Sequence, residues 1–261
     1  MNKEPPSQIG ARRRSEISDR VLEQLNRGHI ESRTLVEVLA IDFAELLVTA
    51  VPDLPAAALA RMRLAGETGV TQRMATAGAL LLEHLGPASY LRLARHRSDT
   101  VRGWAAYLLA TAPGFSLGER LRLIRTLAND HNAGVREWAW LAMRGLIAAD
   151  IAHTIGLLEP WTVSTSPFLR RFASEATRPR GVWCAHIEIL KRDPELGLPV
   201  IEPLRADPHK YVQDSVANWL NDAGKSQPAW VRQLCARWQR ESPGPATARI
   251  CRRAQRHLLA A

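Results

Sequence analysis

From Ile17 onward, apolar positions recur at intervals of three and four, through 17–25, 34–50, 55–65, 70–85, 88–96 and beyond. Gly, Pro, Asp or Asn separates these segments, and no stretch sustains the two-residue alternation of a strand. Three-to-four spacing draws one apolar stripe along a helix, and that stripe must be buried against a neighbour. The pattern predicts an all-α chain. Ahead of it, residues 1–15 are polar, with Pro5-Pro6 and the run Arg12-Arg13-Arg14, and read as a mobile basic arm. The remainder, 16–261, reads as one domain.

Within the helical text the chain repeats itself. Ser98-Asp-Thr-Val-Arg-Gly-Trp-Ala105 is echoed by Ala133-Gly-Val-Arg-Glu-Trp-Ala139, by Ser166-Pro-Phe-Leu-Arg-Arg-Phe-Ala173 and by Pro208-His-Lys-Tyr-Val-Gln-Asp-Ser-Val216. A weaker copy runs over 248–254. Aligning Val101, Val135, Leu169, Val212 and Ile250 gives steps of 34, 34, 43 and 38 residues. That period holds two helices and two turns, and one such pair cannot bury its own apolar face. Stacked pairs are therefore predicted: a HEAT-like α-solenoid in which these second helices line a concave wall. Trp104, Trp138 and Phe172 share one repeat position and read as core, while Asp130 and Asp207 precede repeat helices as turn or cap residues.

The stretch from Phe168 to Trp183 carries more charge than a packing helix needs. Phe168, Leu169, Phe172, Ala173 and Ala176 supply a buried stripe, and Pro179 cannot continue the helix ladder. The end so formed bears Glu175, Arg178 and Arg180, followed by a loop presenting Trp183. Counted from the aligned positions, Glu137, Glu175 and Asp222 stand at +2, +6 and +10 of their repeats. Those offsets differ by about 40° on a helix, so the three carboxylates face nearly the same way. Arg102, Arg136, Arg170, Arg171 and Arg178 cluster near the same helices. Two readings stay open: the acids meet a cationic target, or they are ion-pair partners of the arginines.

Composition narrows the partners. The chain carries a net charge of +9, and its 35 basic residues are 31 Arg and 4 Lys. Such a balance favours a polyanion, and arginine's planar fork suits phosphate; Arg170, Arg178 and Arg180 are the best placed for it. Cys184, Cys235 and Cys251 form no CxxC pair, so neither a zinc site nor a disulfide framework is expected. Without an apolar leader or a membrane-length run, the expectation is a soluble cytoplasmic monomer.

Arg171-Phe-Ala-Ser-Glu-Ala-Thr-Arg-Pro-Arg180 with Trp183, and Tyr211-Val-Gln-Asp-Ser-Val-Ala-Asn-Trp-Leu-Asn-Asp222, resemble the two signatures of the AlkC family of alkylpurine DNA glycosylases. With Val135-Arg-Glu137, the resemblance covers roughly residues 30–258. It departs from the family at Gly181-Val182, where Leu-Pro is usual, and at Gln213 and Asp214, where basic residues are frequent. Ending at Ala261, the chain resembles the form without the added immunoglobulin-like domain. The resemblance implies hydrolysis of the N-glycosidic bond of cationic alkylated purines, chiefly N3-methyladenine, in double-stranded DNA, with no metal or cofactor. It further implies that Asp222 is the catalytic carboxylate, that Glu175 and Glu137 bind the cationic base or orient water, and that Trp183 packs on the lesion. Trp219, beside Asp222, could wall the site, and Arg136, Arg170, Arg171, Arg178 and Arg180 would hold phosphates. Charge and repeats alone also fit a non-catalytic scaffold for nucleic acid or an acidic protein.

Overall fold

A computed structural model describes residues 10–257, and these are helical with no strand among them. In chain order the helices are α1 (Asp19–Asn26), α2 (Leu35–Ala40), α3 (Phe43–Ala50), α4 (Ala56–Ala65), α5 (Val70–Leu85), α6 (Tyr90–Leu93), α7 (Asp99–Thr111), α8 (Leu117–Ala128) and α9 (Ala133–Ala149). There follow α10 (Ile151–Leu158), α11 (Pro167–Ala176), α12 (Glu188–Arg192), α13 (Leu198–Ile201), α14 (Lys210–Gly224), α15 (Pro228–Glu241) and α16 (Pro245–Ala254). Where the sequence suggests a single domain, the chain clusters into two compact units. One reaches Phe115 and adds Asp130–Ala142; the other comprises Ser116–Asn129 and the chain from Met143 onward.

In the first unit α5 lies along α7, and Trp104 meets Phe43 edge-on at 5.4 Å in the core. In the second, α14 is sandwiched by α11 and α16, and Trp219 and Trp238 are fully buried. All five aligned positions, Val101, Val135, Leu169, Val212 and Ile250, are buried. So are Trp104, Trp138 and Phe172, as their shared repeat position predicts.

Three positions before each of the first four aligned residues stands an N-cap. Ser98, Asn132, Ser166 and His209 each accept a backbone N–H from the first turn of the following helix. Such a cap satisfies a donor that the helix itself leaves without a partner. One position after the aligned residue is a turn lock. Arg102 Nη1 donates to the carbonyls of His96 and Arg97 at 2.8 and 3.2 Å. Arg136 does the same to Asp130 and His131, and Arg170 to Ser164 and Thr165. In the fourth copy Gln213 Nε2 reaches the carbonyl of Asp207 at 2.8 Å. A neutral amide thus replaces the guanidinium where one carbonyl is taken instead of two.

The same arginines tie successive repeats. Arg102 grips both carboxylate oxygens of Asp130, at 2.8 and 3.1 Å, and Arg170 those of Asp207, at 2.6 and 3.1 Å. Asp130 and Asp207 also close their own turns by accepting from the amides of Asn132 and His209. Bidentate pairing satisfies both partners of a buried charge pair, which would otherwise be costly.

Residues 10–15, the end of the segment read as a mobile arm, make contacts with α2 and its N-cap. Ala11 N donates to Glu37 Oε1 at 2.9 Å, and Thr34 Oγ1 donates to the carbonyl of Ala11 at 2.7 Å. Arg14 begins a short 3-10 turn ending at Glu16. The rest of that segment, 1–9, lies outside the described residues.

Candidate nucleic-acid-repair site

Ser166 caps α11 and Pro167 occupies its first turn, where a missing N–H costs nothing. The helix ends at Ala176, before Pro179, and Thr177 Oγ1 bonds back to the carbonyl of Ala173 at 2.8 Å. The chain then turns so that Arg178 points back along its own helix. Its Nη1 meets Glu175 Oε1 at 2.6 Å, while Nε and Nη2 meet Asp222 Oδ2 at 2.9 and 2.7 Å. One guanidinium from the α11 terminus therefore joins carboxylates from α11 and α14.

Both acids are almost wholly buried, Glu175 at 3% and Asp222 at 4% exposure. Glu175 Oε2 accepts from Ser215 Oγ at 2.7 Å and lies 3.5 Å from Arg171 Nη2. Burial alone would raise the Glu175 pKa. The charges of Arg171 and Arg178, with hydrogen bonds from Arg178 and Ser215, outweigh it and hold the carboxyl below its ordinary value. The Arg178 guanidinium is desolvated, yet its two carboxylate partners push its pKa up. Asp222 Oδ1 meets Lys225 Nζ at 3.3 Å, and the Lys225 side chain is half exposed.

The loop after α11 is pinned by a residue the periodicity does not single out. Arg144 of α9 is buried and donates through Nη1 to the carbonyl of Ala176 at 2.8 Å, and through Nη2 to that of Arg178 at 2.6 Å. The same guanidinium also reaches the carbonyl of Ala185 at 3.3 Å. A cation at orphan helix-end carbonyls complements both their hydrogen bonding and the helix dipole. Burial lowers the Arg144 pKa from its very high ordinary value. A lone arginine within the apolar run of α9 was the available sequence signal. Ser215 left another: it occupies the repeat position filled elsewhere by Trp104, Trp138 and Phe172.

Between its pinned ends the loop lifts Trp183 into solvent. Trp183 is 51% exposed and has φ 63°, the only positive φ of a non-glycine among the described residues. A bulky side chain in the left-handed region is strained, and such strain concentrates at functional loops. Gly181 packs against Cys184, whose Sγ a Cβ at this position would displace.

Several expected roles need correction. Trp219 does not wall an open site: it is fully buried, and its Nε1 donates to the carbonyl of Thr177 at 3.0 Å. Arg136 and Arg170 are turn locks, with their donors directed at carbonyls and, for Arg170, at Asp207. Arg171 stacks 4.3 Å over the Tyr211 ring. Arg178 is spent on Glu175 and Asp222, and Arg180 bonds the carbonyl of Asp222 and Ser226 Oγ. Each of these five guanidiniums thus has a hydrogen-bond, ion-pair or stacking partner within the protein. Of the two readings left open for the acids, pairing with arginines describes Glu175 and Asp222. Glu137, in the first unit, accepts from Trp140 Nε1 at 2.8 Å.

Comparison with known proteins gives the family and the fold. The family model described as "DNA alkylation repair enzyme" matches residues 105–249, more than half of the chain. The uncharacterized protein YhaZ of Bacillus subtilis (strain 168) is 38% identical over 118 residues, covering 45% of this chain and 32% of that protein. The structure of Pseudomonas fluorescens alkylpurine DNA glycosylase AlkC bound to DNA containing an abasic site analog superposes with a TM-score of 0.67 at 26% identity. That match covers 96% of this chain and 66% of AlkC. The crystal structure of smu.31 from Streptococcus mutans UA159, 20% identical with a TM-score of 0.58 over 76% of this chain and 98% of its own, shares the fold. Thus the chain spans about a third of the B. subtilis relative and about two thirds of AlkC. It belongs to the DNA alkylation repair enzyme family.

Proposed function

We propose that this protein is a DNA glycosylase that hydrolyses the N-glycosidic bond of positively charged alkylpurines, chiefly N3-methyladenine, in duplex DNA. The observation that carries the reading is the joining of Glu175 and Asp222 through Arg178 at the root of the loop that exposes Trp183. Membership of a DNA alkylation repair family and likeness to a glycosylase bound to an abasic-site analogue support it.

The chemistry asks little of the protein at the leaving group. An alkylated base is already cationic, so it departs neutral with the bonding electron pair and leaves an oxocarbenium ion at C1′. Water then adds to C1′ and gives up a proton. Fixed negative charge stabilises that sugar cation and orients the water. In this reading Asp222 presents Oδ1, because Arg178 occupies only Oδ2. Lys225, half exposed at 3.3 Å, is the group a substrate cation would displace. Asp222 Oδ1 then accepts the water proton. Glu175, ionised and held from both sides, fixes Arg178 and so the orientation of Asp222. Trp183 offers a π-face to positive charge.

Release of methylated bases from methylated duplex DNA, resolved by chromatography, tests the reading. Wild type releases N3-methyladenine, and a profile dominated by N7-methylguanine would replace the assigned substrate. Asp222→Asn loses about 100-fold or more, the scale of a lost electrostatic group in an active site. Retention of excision within about twofold of wild type, far short of that scale, excludes the role given to Asp222. DNA binding by wild type without base release would leave a non-catalytic binding protein instead.

A further inference from the structure

A second site lies in the first unit, and its lining shares no residue with the repair groups discussed above. The 3-10 turn bearing Arg14, the junction of α2 and α3, the end of α4 and the start of α5 border an open cleft of about 390 Å³. Three guanidiniums line it, from Arg14, Arg63 and Arg73, over an apolar floor that includes Phe43 and Met62. Arg73 is the informative one. Its guanidinium lies over the Phe43 ring at 5.0 Å, and its Nε is buried with no hydrogen-bond partner. Burial lowers its pKa, partly offset by the charge of Asp42.

The carboxylates at the cleft do not complete Arg73. Asp42 Oδ1 is occupied as the N-cap of α3, accepting from Ala44 N and Glu45 N at 2.8 and 3.0 Å. Glu67, the other acid on the lining, is exposed and forms no ion pair with the three arginines. A buried donor without an acceptor is costly and rare in proteins, and a guanidinium pre-set on an aromatic face loses little freedom on binding an anion. The volume falls within the range of clefts that take small ligands, well above what a bare ion needs.

From this geometry we infer that the Arg14–Arg63–Arg73 cleft binds a phosphate group, with Arg73, half-buried on the Phe43 ring, as its anchor and the exposed Arg63 and Arg14 beside it. The phosphate has two sources: a diester of a DNA strand, or the monoester of a free nucleotide. The inference does not rest on the glycosylase reading, since a chain releasing no base would keep this site.

The test uses the full chain, with inorganic phosphate and dAMP titrated by calorimetry and an undamaged short duplex by fluorescence anisotropy. Arg73→Gln and Arg63→Ala are the variants; Arg63 is exposed, so its replacement leaves the fold intact even should Arg73→Gln unfold. A diester source predicts that duplex affinity falls about tenfold in each variant, with the salt slope reduced by about 1. A monoester source predicts that dAMP and phosphate bind wild type and lose about tenfold in each variant while the duplex is unaffected. The inference is overturned if none of the three probes binds wild type, or if Arg63→Ala leaves all three affinities unchanged.

Discussion

Arg178 holds Asp222 by one oxygen alone: Nε at 2.9 Å and Nη2 at 2.7 Å both end on Oδ2. Its remaining donor, Nη1, goes to Glu175, so the guanidinium is a fixed bracket between two buried acids. Arg178→Gln removes the cation that is ion-paired to both. Breaking a buried charge pair by deleting one partner costs about 3–5 kcal/mol, so the variant unfolds at markedly lower urea than wild type. Base release falls with it, because Asp222 loses its orientation. Unchanged urea unfolding would show that the bracket does not form in solution.

Trp183 separates strain from contact. At φ 63° the residue stores about 1–3 kcal/mol that glycine would not. Trp183→Gly is expected to unfold at a higher temperature than Trp183→Ala, which keeps the strained backbone. Both lose the exposed ring, so both excise N3-methyladenine more slowly than wild type. Calorimetric unfolding alongside base release measures the two effects independently.

Acid should loosen the site through Glu175. Its folded-state pKa lies below the ordinary value of 4.5, so its ionisation contributes stability that is present above about pH 4.5. That contribution disappears as pH falls through the lower folded value. Glu175→Gln should be less stable than wild type by about 3 kcal/mol at pH 6, with the gap narrowing as pH drops toward 3. Urea titrations at several pH values check the slope; a gap independent of pH would mean that Glu175 is not held ionised.

Arg170 is expected to behave as a turn lock and not as a phosphate contact. Arg170→Gln leaves Asp207 buried without its bidentate partner, at about 3 kcal/mol, which lowers Tm by about 6–12 °C in a chain of this size. The salt dependence of duplex binding should not change. A salt slope lowered by about 1 without loss of Tm would return Arg170 to the phosphate-binding set.

Much of the fold was legible because repetition made it so. Val101, Val135, Leu169, Val212 and Ile250 are buried as aligned, and Trp104, Trp138 and Phe172 form core as their shared position requires. Asp130 and Asp207 act as the turn residues they were read to be. The arginines' partners within the protein were not legible, since charge on a repeat helix looks alike whether it faces a phosphate or a carbonyl six residues back. Arg144 and Ser215 were missed because their partners come from elsewhere in the chain, Ala176 and Arg178 in one case and Glu175 in the other.

By itself the sequence determined the helices, their repeat and the family resemblance. Each of these depends on spacing within a few turns or on contiguous motif text, where local sterics and apolar periodicity leave little freedom. Tertiary structure alone decided which charges neutralise one another. Arg178 lies three residues from Glu175 and 44 from Asp222, and only the packing of α14 on α11 brings the second acid to the same guanidinium. Ion pairing depends on distance and burial, which a chain acquires only once its helices have met.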